Sequence, residues 1–483
     1  MAQPTGYDEV TDPQPDEEGY ERGLGSRQIQ MIAIGGAIGT GLFLGAGSAI
    51  AQAGPSLVLA YAVAGVVIFV IMRALGELLT YRPVSGSFSE YAREFLGPFA
   101  GFVTGWTYWL FWVVTGMAET TAAAVYVRFW DPDVPQWSSA LCFLVLLYAA
   151  NLISVKLFGE IEFWFSMVKV TAIVAMILIG LGVLIFGFSR AGDTASVTLL
   201  WRQGGFFPRG VGRTLLTLQI VMFAYLGVEL VGVTAGESQD PARTLPRAIN
   251  TLPLRIVLFY VLSLAVILSL VPWTDFHPGI SPFVAAFGKV GIPAAAGIIN
   301  FVVLTAALSS CNSGMYSTGR MLRDLSLRGQ APSRVADLNR RRTPAPAITV
   351  SALLMGLGVV LNAIAPGRAF DYITAVATVC GLWTWGIILL CQLRYRASWQ
   401  GGHLPPPTFR APAGRWSSWA ALAFLVLVLV LIGFDRESRI SLYVFPVWGV
   451  LLVIGYQVLR RIRPEAVQGR PHDHLHVKVG PPA

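Results

Sequence analysis

The chain has 483 residues, of which 54% are hydrophobic and only 13% are charged, and its mean hydropathy is +0.61. Soluble domains carry about 25% charged residues, so this composition excludes an ordinary soluble enzyme, a disordered protein and a nucleic-acid-binding protein. The net charge of +8 accompanies a series of long apolar runs, which together indicate a protein that crosses a membrane many times.

Residues 1–28 are polar and acidic, and they lack the basic start, short apolar core and cleavage site of a signal peptide. We expect them to form a disordered cytosolic tail, with a second cytosolic tail at 464–483. Hydrophobic runs fill the sequence between the tails. The runs lie at 29–51, 56–80, 99–130, 138–156, 163–187, 213–235, 249–272, 293–322, 345–364, 371–394, 417–434 and 441–460. They are continuous rather than alternating, which predicts an all-α membrane protein with twelve transmembrane helices.

Lysine and arginine are unevenly divided between the loops of this twelve-helix arrangement. Most of them fall in the tails and loops on the side of the N-terminus, and few fall on the opposite side. Because positive residues concentrate on the cytosolic side, this predicts a multi-pass protein of the bacterial plasma membrane with both termini in the cytoplasm. The lipid bilayer therefore explains the basic charge, and no nucleic-acid partner is expected.

The first apolar run contains a cluster of glycines, Gly35, Gly36, Gly39 and Gly41. Each glycine weakens a helix by about 1 kcal/mol relative to alanine. Backbone groups that leave a helix inside a membrane cannot face lipid, so they must line protein or a cavity. The cluster therefore predicts an unwound break around Gly39-Thr40-Gly41, with close helix packing through small residues as the alternative.

The sixth run contains a glycine and an acidic residue at its apolar centre, Phe223-Ala224-Tyr225-Leu226-Gly227-Val228-Glu229. Runs 1 and 6 open two consecutive five-helix blocks, 29–187 and 213–394, which the last two helices at 417–460 follow. Matching interrupted helices in two halves are typical of inverted-repeat transporters, whose substrate site lies at the membrane midplane.

These two breaks would bind opposite ends of a substrate. Free amides at Thr40 and Gly41 suit a carboxylate, and free carbonyls near Ala37, Phe223 and Leu226 suit an ammonium group, so the expected substrate is a zwitterionic amino acid. The complete predicted substrate site consists of Ala37, Ile38, Gly39, Thr40, Gly41, Thr115, Glu119, Phe223, Leu226 and Gly227.

Four stretches of the sequence form more specific motifs. They are Gly36–Gly41, Gly76-Glu77-Leu78 with Pro83–Phe88, Gly159–Phe165, and Gly227–Gly232 with Asp240-Pro241 and Pro246–Asn250. Over roughly residues 20–463, these motifs resemble the bacterial amino acid permeases of the amino acid–polyamine–organocation superfamily. The resemblance implies the LeuT-like fold, a 5+5 inverted repeat plus two C-terminal helices, and proton-coupled uptake of amino acids.

Two regions of the chain resemble different members of that superfamily. Gly105–Trp109 and Trp112–Ala118 look like D-serine/D-alanine/glycine transporters, whereas Leu304–Arg323 and the last two helices look like L-asparagine permeases. The expected substrate is a small neutral amino acid, with glycine, D-alanine or D-serine first and L-asparagine second. A hydrophobic wall rejects an extra methylene only about 10- to 200-fold, so related small amino acids should compete.

Ionisable residues inside the predicted helices are costly and are therefore functional candidates. Lys169 is the only lysine in such a helix, and a desolvated lysine can gain and lose a proton near neutral pH. The resemblance matches Lys169 to a lysine in the place of a coupling sodium ion. We therefore predict that it couples transport to protons, with a structural ion pair as the alternative.

Two acidic residues are further candidates. Glu119, one turn after Thr115, is expected to contact the substrate, to pair with Lys169 or to hydrogen-bond within the bundle. Glu229 is expected to act either as a gate or as a stabiliser of the helix break. Glu77 and Arg73, four residues apart, are expected to form a structural pair.

Three polar residues on the eighth run lie at mid-depth, Ser309, Ser310 and Asn312. They either line the route of the ion or substrate, or form hydrogen bonds between helices.

A membrane-embedded enzyme is the main alternative from another class. Such an enzyme needs a nucleophile with a base, or a metal, inside the membrane. All five histidines fall outside the predicted helices, and the four cysteines lack metal-binding spacing, so we expect no enzyme, no metal and no cofactor. An amino acid sensor usually carries an added signalling domain, and the tails of this chain are too short for one. An ion channel would show rings of charge or a repeated filter, and the sequence contains neither.

Overall fold

The computed structural model of the chain describes residues 38–82, 87–153, 155–187, 195–233, 241–290 and 294–468. Every regular element within these residues is helical, and ten helices are long and apolar enough to cross a membrane. The prediction of an all-α membrane protein is therefore confirmed. The predicted N-terminal tail, Ala37 and most of the predicted C-terminal tail lie outside the described residues.

The α-helices are numbered here in chain order. They are α1 (Ala46–Ala53), α2 (Leu57–Tyr81), α3 (Ser87–Leu96), α4 (Pro98–Val127), α5 (Gln136–Ile153), α6 (Val155–Phe186), α7 (Leu199–Arg202), α8 (Gly210–Leu216), α9 (Leu218–Ala224), α10 (Leu230–Val233), α11 (Pro241–Asn250), α12 (Leu252–Arg255), α13 (Ser263–Leu270), α14 (Pro282–Val290), α15 (Ala295–Leu327), α16 (Ala345–Ile364), α17 (Ala369–Gln400), α18 (Arg415–Ile432), α19 (Ser441–Ile462) and α20 (Pro464–Gln468). Short 3₁₀ turns lie at Gly54–Ser56, Trp273–Asp275, Ser333–Ala336 and Ser438–Ile440, and π-helical turns at Gly41–Gly45 and Ile256–Leu262.

The first candidate membrane helix, Gly41–Tyr81, contains two of the predicted spans. Its 41 residues would extend about 60 Å if straight, which is twice the thickness of a bilayer core. Gly54, with φ +67°, lies between α1 and α2, and a Cβ atom there would come 2.5 Å from the Pro208 side chain. The sixth predicted span is represented by the shorter apolar segment Gly210–Ala224. The count of twelve helices therefore stays a prediction.

Helices α4, α15 and α17 form the centre of the bundle, because most of each is buried inside the protein. Helices α18 and α19 are largely exposed, so they lie at the periphery against lipid. Polar side chains buried in the central helices, such as Glu119 and Ser309, have to find partners inside the protein. The central helices are therefore the places to look for a site.

A buried ion pair joins the predicted second and tenth helices. Glu77 of α2 accepts hydrogen bonds from Arg396 and, at 2.8 Å, from Gln392, both on α17. Arg73, the expected partner, instead donates to Asn250 at 2.7 Å and lies over the Phe409 ring. The structural role expected for Glu77 is supported by these contacts. Arg73 interacts with Glu77 electrostatically, but the hydrogen-bonded partner of Glu77 is Arg396.

We expect Glu77→Ala to lower the free energy of unfolding by about 3–5 kcal/mol, because Arg396 would stay buried without its partner. Equilibrium unfolding of the purified protein in mixed micelles measures this loss. Glu437→Ala, at an exposed position, is the control. A loss no larger than that of the control would contradict a structural role for Glu77.

Candidate functional site

The described chain begins at the predicted break of the first span. Ile38 and Gly39 are not helical, and the helix that follows starts with the π-helical turn Gly41–Gly45. Turns of this kind inside helices are frequent at functional sites. A Cβ atom on Gly41 would lie 2.4 Å from the Cα atom of Ala224, so the first span meets the sixth through direct backbone contact.

The sixth span is interrupted where the sequence predicts it. Helix α9 ends at Ala224, residues 225–229 form turns, and α10 begins at Leu230. Gly227 has φ +98°, a conformation that a residue with a side chain rarely adopts. The predicted break in the sixth span is thus present. At the first, the described residues show Ile38 and Gly39 outside the helix, whereas Thr40 and Gly41 are helical. The close contact between Gly41 and Ala224 places the two regions side by side.

Glu229 folds back onto the second break. Its Oε2 atom accepts hydrogen bonds from the Gly227 amide at 3.1 Å and from Trp385 Nε1 at 3.3 Å. These contacts fix the turn and connect it to α17. They are the contacts expected of a group that stabilises the break, and a gating role for Glu229 stays a prediction.

The carbonyls freed at the second break have partners within the protein. The Phe223 carbonyl accepts the Leu226 amide at 3.1 Å, and the Ala224 carbonyl accepts the Tyr260 hydroxyl at 3.1 Å. Tyr260 belongs to the π-helical turn Ile256–Leu262, and its ring lies 4.5 Å from that of Tyr225. Tyr260 thus stabilises the second break from a neighbouring helix, a role that no sequence pattern indicated.

Lys169 connects three parts of the bundle. Its Nζ atom donates to the Ile38 carbonyl at 3.3 Å and to the Ser309 hydroxyl at 2.9 Å. Ser309 in turn donates to Glu162 Oε1 at 2.7 Å, and both Lys169 and Glu162 are fully buried. Helix α6 is therefore joined to the first break and to α15 through one network of ionisable groups.

Glu162 was not singled out from the sequence as a functional residue. It lies two helical turns before Lys169 on α6, so the two side chains share a face. Ser166, between them, donates to Glu162 Oε1 at 3.3 Å. One sequence signal could have identified Glu162. Inside an apolar helix, this carboxylate is followed by a hydroxyl four residues later and by an amine three residues after that.

Glu119 also lies beside the first break. A Cβ atom on Gly39 would come 3.0 Å from Glu119 Oε1 and 3.4 Å from the Ser310 hydroxyl, and Thr40 also lies beside the carboxylate. Glu119 Oε2 and Thr40 Oγ1 are buried without a hydrogen-bond partner among the described residues. Because buried polar atoms are normally paired, this place suits a polar ligand.

Other predicted residues are used elsewhere in the bundle. Thr115 donates to the Phe111 carbonyl of its own helix at 2.8 Å, and Asn312 accepts a hydrogen bond from Asn151 at 2.8 Å. Leu226 packs closely on Gly381 of α17. The contact of Thr115 is local and that of Asn312 joins two helices. Neither contact shows that these residues bind a ligand.

The amino acid permease family model matches residues 28–467 of the chain. The chain belongs to the amino acid permease family. It is 48% identical over 443 residues to the uncharacterised amino acid permease YtnA of Bacillus subtilis (strain 168), covering 92% of this chain and 96% of the relative. The D-serine/D-alanine/glycine transporter of Escherichia coli (strain K12) is 46% identical over 456 residues, 94% of this chain and 97% of the relative. The L-asparagine permease of the same strain is 45% identical over 448 residues, which cover 92% of this chain and 90% of the relative.

Family membership confirms the resemblance drawn from the motifs of this permease. It also shows that the protein is a multi-pass transport protein of a membrane and not an enzyme. Among the described residues, no group of three or more histidine, cysteine, aspartate or glutamate side chains is placed to hold a metal ion.

Proposed function

We propose that this permease imports a small neutral amino acid together with protons, and that the substrate binds at the first helix break, beside Glu119. The observation that carries the proposal is that Glu119 and Lys169 both lie beside the non-helical residues Ile38 and Gly39. A buried acid and a buried base beside unwound backbone suit a zwitterion, whose own charges they complement.

The charges around Lys169 support coupling to protons. Lys169 interacts electrostatically with both Glu162 and Glu119, and all three are buried. Two carboxylates and one ammonium leave one negative charge, which is costly inside a membrane. One added proton neutralises this group, and a zwitterionic substrate, which has no net charge, leaves it neutral. Substrate and proton therefore act on the same set of charges.

The first break would hold the carboxylate of the substrate and Glu119 its ammonium group. Amides of residues 39–41 that are freed from the helix favour an anion. The unpaired oxygens of Glu119 and Thr40 provide acceptors for ammonium hydrogens. Because the Ala224 carbonyl already binds Tyr260, we place the ammonium nearer to Glu119 than to the second break.

Glycine, D-alanine and D-serine are the first candidate substrates, and L-asparagine is the second. The first group is supported by the residues at Trp112–Ala118 and by the named substrates of the Escherichia coli relative. L-asparagine is supported by the residues at Leu304–Arg323 and by the other named relative. Both groups are small, neutral and zwitterionic, as the charges of the site require.

We further propose two inverted five-helix repeats, 29–187 and 213–394, followed by two helices at 417–460, in a bacterial plasma membrane with both termini in the cytoplasm. The interruptions at residues 38–39 and 225–229 support the repeats, because each lies in the first span of its block. The excess of arginine in the loops on the side of the N-terminus supports the orientation.

Counterflow in proteoliposomes tests the function and the substrate together. Vesicles preloaded with unlabelled glycine should take up labelled glycine, and D-alanine and D-serine should compete more strongly than the other amino acids. An imposed pH gradient, acidic outside, should drive accumulation without sodium. If arginine or lysine competes best, or if the pH gradient has no effect, the proposed substrate class or the proposed coupling is wrong.

A further inference from the structure

A lateral cavity of about 390 Å³ lies between the start of α4, the segment after α15 and the end of α19. Phe102, Trp106 and Trp448 form its aromatic wall, and Arg463 lies at one end. Helix α19 is the least buried of the candidate membrane helices, so lipid reaches this surface. The residues around the two helix breaks do not line it, so this α4/α19 cavity is separate from the candidate functional site.

The end of the α4/α19 cavity is positively charged. Arg460, Arg461 and Arg463 lie at the end of α19, and all three are exposed. Glu465 is the only acidic residue between positions 441 and 468. No ion pair joins any of the three arginines to another residue in the described part of the chain. Their charge is therefore available to an anion.

The aromatic wall also offers a hydrogen-bond donor. Trp106 Nε1 is buried without a partner among the described residues, whereas Trp448 Nε1 donates to the Thr107 hydroxyl at 3.2 Å. Leu452, Gly455 and Leu459 line the slot between Trp448 and Arg463, which lie about 22 Å apart along α19. The tryptophans therefore lie at the deep end of the slot, and the arginines lie at its mouth.

We propose that the α4/α19 cavity binds an anionic phospholipid. One acyl chain fills the apolar slot from its arginine end inwards to Trp106, and the phosphate lies at Arg463. Basic pockets between membrane helices recognise acidic headgroups in this way, because the negatively charged headgroup provides a counter-charge for the arginines. This inference does not depend on the proposed transport function.

The test compares phosphatidylglycerol with phosphatidylcholine, added to the delipidated full-length protein in micelles. Phosphatidylglycerol should raise the midpoint of thermal unfolding more than phosphatidylcholine does. Arg463→Gln should weaken the binding of phosphatidylglycerol about fivefold. Gly455→Leu should abolish it, because a Cβ atom there lies at ordinary contact distance, 3.8 Å from Phe102, and the rest of the side chain would occupy the slot.

Two variants serve as matched controls. Gly449→Leu makes the same change on the same helix away from this cavity, and Arg439→Gln removes an exposed arginine just before α19. Both should keep the full effect of phosphatidylglycerol. If Gly455→Leu does not fold, the loss in Arg463→Gln still decides the question.

Several outcomes would overturn the proposal. Equal shifts with both lipids would show that no acidic headgroup is recognised. The same shift with glycerol phosphate alone would show an anion site that needs no acyl chain. An effect that appears only after residues 469–483 are removed would show that this segment of the chain, rather than a lipid, covers the cavity. Unchanged binding in both Arg463→Gln and Gly455→Leu would place the lipid elsewhere.

Discussion

Lys169→Ala is expected to abolish proton-driven accumulation of the substrate while exchange of labelled for unlabelled substrate continues. For one proton per substrate, accumulation by the wild type reaches about tenfold per unit of pH gradient, and the variant should show none. The reason is that Lys169 Nζ binds both the Ile38 carbonyl and the Ser309 hydroxyl. In the proposed mechanism, protonation of Lys169 controls the contact between α6, α15 and the first break.

A structural role for Lys169 would give a different result. Removing one buried cation leaves Glu162 and Glu119 without their counter-charge, so Lys169→Ala carries a risk of misfolding. The double variant Glu162→Gln with Lys169→Met removes both charges and should fold, exchange substrate and still fail to accumulate it. Lys289→Ala, which removes an exposed lysine paired with Asp275, should behave as wild type. Normal accumulation in the double variant would show that Lys169 does not carry the coupling proton.

The break in the sixth span and the non-helical residues Ile38 and Gly39 were predictable because glycine acts locally. A glycine cluster lowers helix stability wherever the rest of the protein places it, and an acidic residue two positions after Gly227 can cap the turn that results. Glu229 does this through the Gly227 amide. The sequence therefore indicated both interruptions without any knowledge of the packing around them.

Partners that come from distant parts of the chain were not predictable in the same way. Glu77 pairs with Arg396, 319 positions away, whereas the local rule for helices pointed to Arg73. Tyr260 binds the freed carbonyl of Ala224 from a π-helical turn that no motif marks. A tyrosine in an apolar run is common in any helical bundle, so nothing in the sequence distinguished Tyr260 as a stabiliser of the break.

Gly41 shows how packing changes the meaning of a predicted site residue. The sequence indicated a residue whose free amide would bind a carboxylate. In the structure, the space where its side chain would point is filled by the backbone of Ala224, at 2.4 Å from an added Cβ atom. A substitution of Gly41 would therefore separate the first and sixth spans, so it tests their contact and not the binding of substrate.

Gly39→Ala is the substitution that tests the proposed substrate site, and it is expected to weaken substrate binding about 10- to 100-fold, the cost of a lost hydrogen bond to a charged group. The added methyl group would come 3.0 Å from Glu119 Oε1 and 3.4 Å from the Ser310 hydroxyl, so the carboxylate must move away from the break. Alanine is a better helix former than glycine and φ at residue 39 is not positive, so the fold should be kept.

Binding of glycine, D-serine and L-asparagine to the purified Gly39→Ala variant measures the effect. The loss of affinity should grow with the size of the substrate, because the methyl group occupies the space that the substrate needs. Gly356→Ala, at a helical position where an added Cβ atom meets nothing within 4 Å, should bind all three as the wild type does. If Gly39→Ala binds them with unchanged affinity, the substrate does not lie between Glu119 and the first helix break.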